Sequence, residues 1–213
     1  MKSRHKVDPL NIRFHPFPLI CTMLFVSLVG CGDDKAQNDA NNPASKTGYV
    51  APSYEDMPDC GQVSAIMGDL VAGLIPVEGD EYGPYNNGSQ YGTSCIWLTQ
   101  ESQSPNPFEA IKVGSFGITI VVEQDPPIEA DLRTLGWVYD DPRVEALNGF
   151  VVDATKQLDL SAPVAVVGPQ VVVGNVSIVF AATGVALQQT EGLRQITNDR
   201  AIDAGVRLHK SLR

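Results

Sequence analysis

The 213-residue sequence predicts an α+β fold: an antiparallel sheet with three packed helices and one disulfide. Three observations predict it. One segment spaces its apolar residues as a helix does, a second alternates them along a strand, and the later strand-like stretches follow one another in a block. Consecutive strands favour antiparallel pairing over a doubly wound parallel sheet.

Within residues 61–74, Val63, Ile66, Met67, Leu70, Val71 and Leu74 fall on one helical face. Asp59 or Cys60 begins this helix, Gly73 weakens its last turn and Pro76 stops it. Residues 75–93 crowd Gly, Asn, Pro and Tyr together without periodicity and read as a long loop. Residues 94–99, with Cys95, Ile96, Trp97 and Leu98, form a short strand. The clearest strand covers 110–123, where Ile111, Val113, Phe116, Ile118, Ile120 and Val122 alternate with smaller or polar residues. Pro126 and Pro127 break its ladder. A helix over 128–137 follows, acidic early and with Arg133 late, as the helix dipole favours, and Gly136 or the Asp140-Asp141-Pro142 turn ends it. Further strands are expected over 149–153, 164–173 (interrupted by Gly168-Pro169) and 175–183. A closing helix over 191–212 buries Leu193, Ile196, Ala201, Ala204 and Leu208.

The amino-terminal stretch carries Lys2, Arg4, His5, Lys6 and Arg13, then an apolar core from Leu19 to Val29, the pattern of an export signal. A spanning helix needs about 20 consecutive apolar residues, whereas this run is shorter and ends in Gly30, Cys31 and Gly32. Leu28-Val29-Gly30-Cys31 reads as a bacterial lipobox, so 1–30 is expected to be removed and Cys31 to carry lipid. Acyl chains contribute ~0.8 kcal/mol per buried methylene, and two of them anchor stably. The membrane, reached through that anchor from the extracytoplasmic side, is therefore the first expected partner.

Residues 31–58 follow as a tether, rich in Asp, Asn, Ala, Ser and Pro and too poor in large aliphatics to order themselves. Such a coil spans roughly 30 Å. Residues 59–213 suffice for one domain with a sizeable core. Losing 1–30, with its four Lys or Arg and one Asp, leaves 11 basic and 24 acidic side chains, a formal charge of −13. That excess argues against nucleic acid as a partner, since such binding neutralises phosphates with Lys and Arg. It also argues against a basic membrane-binding patch, and fits acidic side chains that keep an exported domain soluble.

Four cysteines divide by the same logic: Cys21 leaves with the signal, Cys31 is lipidated, and Cys60 and Cys95 remain in an oxidising compartment. Those two are expected to pair, stabilising the fold by ~3–4 kcal/mol in the chain-entropy model. Two thiols so far apart without a nearby His make a poor zinc site. No metal and no cofactor are expected.

Asp59-Cys60-Gly61-Gln62-Val63 through Gly68, followed after a variable loop by Cys95-Ile96-Trp97, resembles exported actinobacterial lipoproteins of the family called domain of unknown function 3558. In that family a cysteine opens the first helix and a Cys-x-Trp strand pairs with it. The resemblance extends weakly through Gly149-Phe150 and the last helix. It implies a cell-envelope lipoprotein and brings no catalytic residues with it. Some extracellular kinase sensor domains look distantly similar in architecture, which suggests ligand or partner sensing by analogy.

Candidate chemistry is sparse. His209, beside Arg207, Lys210 and Arg213, is expected as a cation or surface imidazole near the end of the last helix, a poor place for a catalytic base. Glu78-Gly79-Asp80-Glu81 lacks the regular ligand spacing of a calcium loop and reads as a solvated turn. Glu123 and Asp125 are a candidate acid/base pair, although a glycosidase needs two carboxylates across a cleft, and surface charge explains them equally. Tyr82, Tyr85 and Tyr91, with Asn86, Asn87, Gly88, Ser89 and Gln90 between them, have the composition of adaptable recognition loops. Trp97 reads as core against the disulfide. There is no phosphate-binding glycine loop and no zinc-binding HExxH helix.

The expectation is a non-enzymatic module that binds an envelope glycan, lipid or protein through Tyr82, Tyr85 and Tyr91. The alternatives are a cell-wall hydrolase built on Glu123 and Asp125, and a structural accessory lipoprotein of an envelope complex.

Overall fold

The computed structural model describes residues 49–153, 166–184 and 191–213, all within the unit Pro43–Arg213. The expected signal peptide, Cys31, the tether as far as residue 48 and the first two positions of the strand at 164–173 lie outside the described residues. The strands are β1 (Ile75–Pro76), β2 (Gly83–Asn86), β3 (Gln90–Leu98), β4 (Gly114–Glu123), β5 (Val138–Tyr139), β6 (Phe150–Val152), β7 (Val166–Val173) and β8 (Val176–Gly184). The helices are α1 (Cys60–Met67), α2 (Glu129–Thr134), α3 (Pro142–Glu145), α4 (Glu191–Arg194) and α5 (Asn198–Ser211).

The strands make one eight-stranded sheet in the order β1-β3-β4-β8-β7-β6-β5, with β2 also on β3, and every pairing is antiparallel. β1 and β2 share one edge of β3, opposite Leu98-Trp97 and Ser94 to Tyr91 respectively. The α+β class and the disulfide are as the sequence predicts, with five helical segments among the described residues instead of three.

Alternation assigns the two faces of the sheet. Thr93, Cys95 and Trp97 of β3, Phe116, Ile118 and Ile120 of β4, and Ile178, Phe180 and Ala182 of β8 are buried on one face. Trp97, Phe116 and Phe180 run across it with successive ring centroids 6.1 and 6.3 Å apart. α1 and α5 cover this face, α5 lying on β7 and β8. The close approach of α5 needs Gly205, where a Cβ would stand 2.8 Å from Val171 Cγ2. On the opposite, outer face Ser94, Ile96, Thr119, Val179 and Ala181 keep some exposure, while Val121, Val172 and Ser177 are buried towards one end.

α1 starts in a capping box: Asp59 accepts from the Gln62 N–H at 2.8 Å, and its own N–H donates to Gln62 Oε1. The helix stops at Met67, earlier than its apolar spacing suggests, because Gly68 turns the backbone to φ 59°. Leu70, Val71 and Leu74 still reach the core, from a 3₁₀ turn and the loop after it. Arg207 of α5 donates to the carbonyls of Ile66 and Met67 at the end of α1, satisfying acceptors that a helix terminus leaves bare.

The expected closing helix is two, α4 and α5, separated at Gln195–Thr197, where the Thr197 hydroxyl caps α5 by accepting from the Arg200 N–H. α3, unexpected from the sequence, is capped by Asp141 with Pro142 at its first position. Arg143 joins the buried Asp141 carboxylate at 2.7 Å and Asp199 of α5 at 2.9 Å, and it holds the Asp141 carboxyl below the usual carboxylate range.

The folded part begins before Asp59. Residues 49–58, assigned from composition to the tether, lie on the domain as an arm: Met57 is buried, and Tyr49 and Ala51 pack against the core. The Pro52 carbonyl accepts from the Tyr91 hydroxyl at 2.7 Å, and the Pro58 carbonyl from the Thr93 hydroxyl at 2.7 Å.

Candidate functional site

Residues 75–93 are not a loop. They hold β1, β2 and the first part of β3, with a turn over 77–82 between β1 and β2 and a tight hairpin between β2 and β3. Its loop is Gly88-Ser89, with Gly88 at φ 91°, the position where a primed turn requires glycine. The Asn87 N–H donates to the Gln90 carbonyl, and the Gln90 N–H to Asn87 Oδ1, both at 3.1 Å. Gln124, just beyond β4, donates to the Gly88 carbonyl at 3.3 Å and ties the hairpin tip to the end of β4.

Strand alternation separates the three tyrosines expected to act together. Tyr91 pairs with Val122 on the helix-covered face, packs its ring edge-on against Tyr54 at 6.3 Å and holds the arm through Pro52. Its role in the structure is to dock the arm. Tyr82 sits half-buried in the turn ahead of β2, and among the described residues no ring pairing joins it to Tyr85 or Tyr91.

Tyr85 is on the outer face, opposite Gly92, which is itself opposite Val121. A Cβ on Gly92 would stand 1.9 Å from the Ile120 carbonyl oxygen and 3.1 Å from the Tyr85 hydroxyl. Glycine there lets the phenol lie across β3 towards β4. Glu123, two residues beyond Val121 and opposite Gln90, ends β4 on the same face, half-buried. Burial raises its carboxyl above the usual carboxylate range. Tyr85 is raised too, first by burial and then by the neighbouring Glu123 charge.

The other candidates are scattered. Asp125 is exposed beyond the end of β4, and Glu78, Asp80 and Glu81 are exposed ahead of β2. Among the described residues, no three His, Cys, Asp or Glu side chains are grouped to hold a metal ion. Cys60 and Cys95 are joined, with Cα atoms 5.5 Å apart. Trp97 is buried beside them and donates from its indole to Ser64 Oγ at 3.2 Å.

His209 is not at the surface. It is fully buried between α5 and β7, with Nε2 3.3 Å from the Val171 carbonyl, under the edge of the Tyr49 ring at 6.0 Å. Its charged neighbours Arg207 and Lys210 point to solvent, whereas His209 shares the buried face with Leu208 and Leu212. The polar side chain overlooked in the sequence is Gln124, which follows the last strand residue and carried no periodic signal. Set against protein-family models, curated proteins and solved structures, the chain matches none.

Proposed function

We propose that the chain is a lipid-anchored protein of the cell envelope, facing the extracytoplasmic side, whose domain is a non-enzymatic module binding a ligand on the outer sheet face at Tyr85. The anchor rests on the lipobox at Cys31 and on the resemblance to exported lipoproteins, and the Cys60–Cys95 disulfide suits an oxidising compartment. Among the described residues no helix is long and apolar enough to cross a membrane. The attachment proposed is through lipid on Cys31. Cys31→Ala should abolish incorporation of a fatty-acid label and release the protein from the membrane fraction; a variant that still takes up label refutes the anchor.

One observation carries the binding reading: the fold commits Tyr91 to the arm and leaves Tyr85 half-buried on the outer face, at the end of the sheet that also carries the half-buried Glu123 carboxyl. An aromatic surface with one polar group at its margin is how small sites combine apolar contact with orientation. A thermal-shift screen of the full chain against envelope glycans, lipids and peptides tests it. A ligand at 100 times its Kd stabilises the folded state by about 2.7 kcal/mol, and Tyr85→Ala should remove the shift. A shift that survives in the variant puts the site elsewhere.

The accessory reading draws on a separate feature. Ile128, Leu135, Trp137 and Tyr139, around α2 and the edge strand β5, are all large, apolar and exposed. A screen in which no small ligand shifts the protein would favour a protein partner at that edge.

A further inference from the structure

We propose that the Tyr85–Glu123 end of the outer face binds an organic ammonium group, an inference that rests on the binding reading above and names its ligand class. Glu123 is half-buried on a sheet face, and among the described residues no hydrogen bond or ion pair engages its side chain. Most of the described cations are paired elsewhere: Lys112 with Glu109, Arg133 with Glu129 and Asp140, Arg143 with Asp141 and Asp199, Arg200 with Asp69, Arg207 with Asp203. Arg213 lies over the Tyr49 ring. A partly dehydrated carboxylate with no counter-charge among the described residues is costly, and a bound cation offsets that cost.

Tyr85 selects the kind of cation. Its ring, laid across Gly92 towards β4, is on the same face and at the same end of the sheet as Glu123, whose charge acts on the phenol. An ammonium carried on carbon places its charge against the carboxylate and its methylene or methyl groups against the ring, the geometry of a cation–π contact. A bare metal ion gains little from the ring, and among the described residues no three His, Cys, Asp or Glu side chains are grouped to hold one. A neutral sugar can stack on the ring but leaves the carboxylate charge uncompensated in a site it dehydrates further. The chain's formal charge of −10 raises the local concentration of cations around the whole molecule.

Two sources supply this chemistry, a lysine-type side chain of a peptide and the amine of a lipid headgroup. The full chain, labelled with nitrogen-15 and held in detergent, is titrated with N-acetyl-lysine amide, with ethanolamine phosphate and with N-acetylglucosamine, following the backbone amides of Gly88, Gly92 and Gln124. Either amine should shift these amides, and the tighter of the two names the source. Glu123→Gln, which keeps the side chain's shape, should weaken amine binding by about tenfold or more, and Tyr85→Leu should weaken it while leaving the spectrum folded. Undiminished amine binding by Glu123→Gln overturns the proposal. Shifts with the sugar and none with the amines overturn it too, but leave the binding reading standing. Silence from all three probes overturns both.

Discussion

Replacing Cys60 and Cys95 together by alanine is expected to lower the stability of the domain by about 3–4 kcal/mol, since the crosslink closes a loop of 35 residues that the unfolded chain would otherwise leave open. For a domain of this size each kcal/mol moves the melting temperature by about 2–4 °C, so a fall of roughly 6–16 °C is expected. The bond joins the first residue of α1 to the middle of β3, opposite Ile118 of β4. It therefore pins a short helix to the strand that carries Gly92 and Tyr91, and residues 75–93 lie inside the closed loop. Urea denaturation of the oxidised protein and of the double variant measures the difference, and peptide mapping without reductant should recover Cys60 joined to Cys95. A loss below about 1 kcal/mol would mean that the crosslink removes little freedom from the unfolded chain, because residual contacts within residues 60–95 already restrict it.

How far the fold was legible follows from where its information is local. The strand expected over 110–123 runs from Gly114, where period two with one face buried announces it, whereas 110–112 form a 3₁₀ turn that leaves Ile111 exposed. α1 was equally plain, but its end was not: Leu70, Val71 and Leu74 continue the helical spacing, and they do reach the core, through a turn that Gly68 has redirected. β2 and the start of β3 were hidden by composition. Gly, Asn, Pro and Tyr are loop residues on average, yet Asn87-Gly88-Ser89 supplies the turn, and Tyr91, Thr93, Cys95 and Trp97 alternate without a break on its far side. β5 and α3, two and four residues long, are too short for any period to show.

The site was legible only in pieces. Tyr85 and Glu123 were each candidates, one for binding and one for acid chemistry, but neighbours only through the register of β2 on β3 and β3 on β4. No local pattern encodes that register. The same holds for His209: what buries it is partly Tyr49, at the opposite end of the described chain, from a stretch whose composition reads as tether. Low apolar content there describes the average of residues 31–58, while a few contacts, from Tyr49, Ala51, Pro52, Met57 and Pro58, lay the last ten of them on the domain.

Acid is expected to loosen this protein well above the range where its carboxylates titrate, because of His209. A carbonyl can only accept, so Nε2 carries the hydrogen bonded to Val171, and Nδ1 is buried with no partner among the described residues. The neutral ring fits; a second proton on Nδ1 would place a charge where nothing receives it. Burial, reinforced by the nearby Arg213 charge and opposed by the Val171 carbonyl, lowers the imidazole to about 4, against 6.5 for the free side chain. Between those values the unfolded chain takes up a proton that the folded chain refuses. Stability from this group is thus complete above about pH 7 and falls towards pH 4, by about 3 kcal/mol in all, after which the folded form also titrates. Tyr49 covers the ring, so the arm should be the first part to become accessible to protease as the pH falls. Urea denaturation at pH 7, 5.5 and 4.5 measures the slope. His209→Leu should flatten it whatever the variant costs at neutral pH, since leucine binds no proton in either state. Glu123, raised by burial, acts in the opposite sense near the acid end, and Asp141, held low by Arg143, adds its own loss only below the usual carboxylate range. An equal decline in His209→Leu between pH 7 and 4.5 would therefore take the acid sensitivity away from the imidazole.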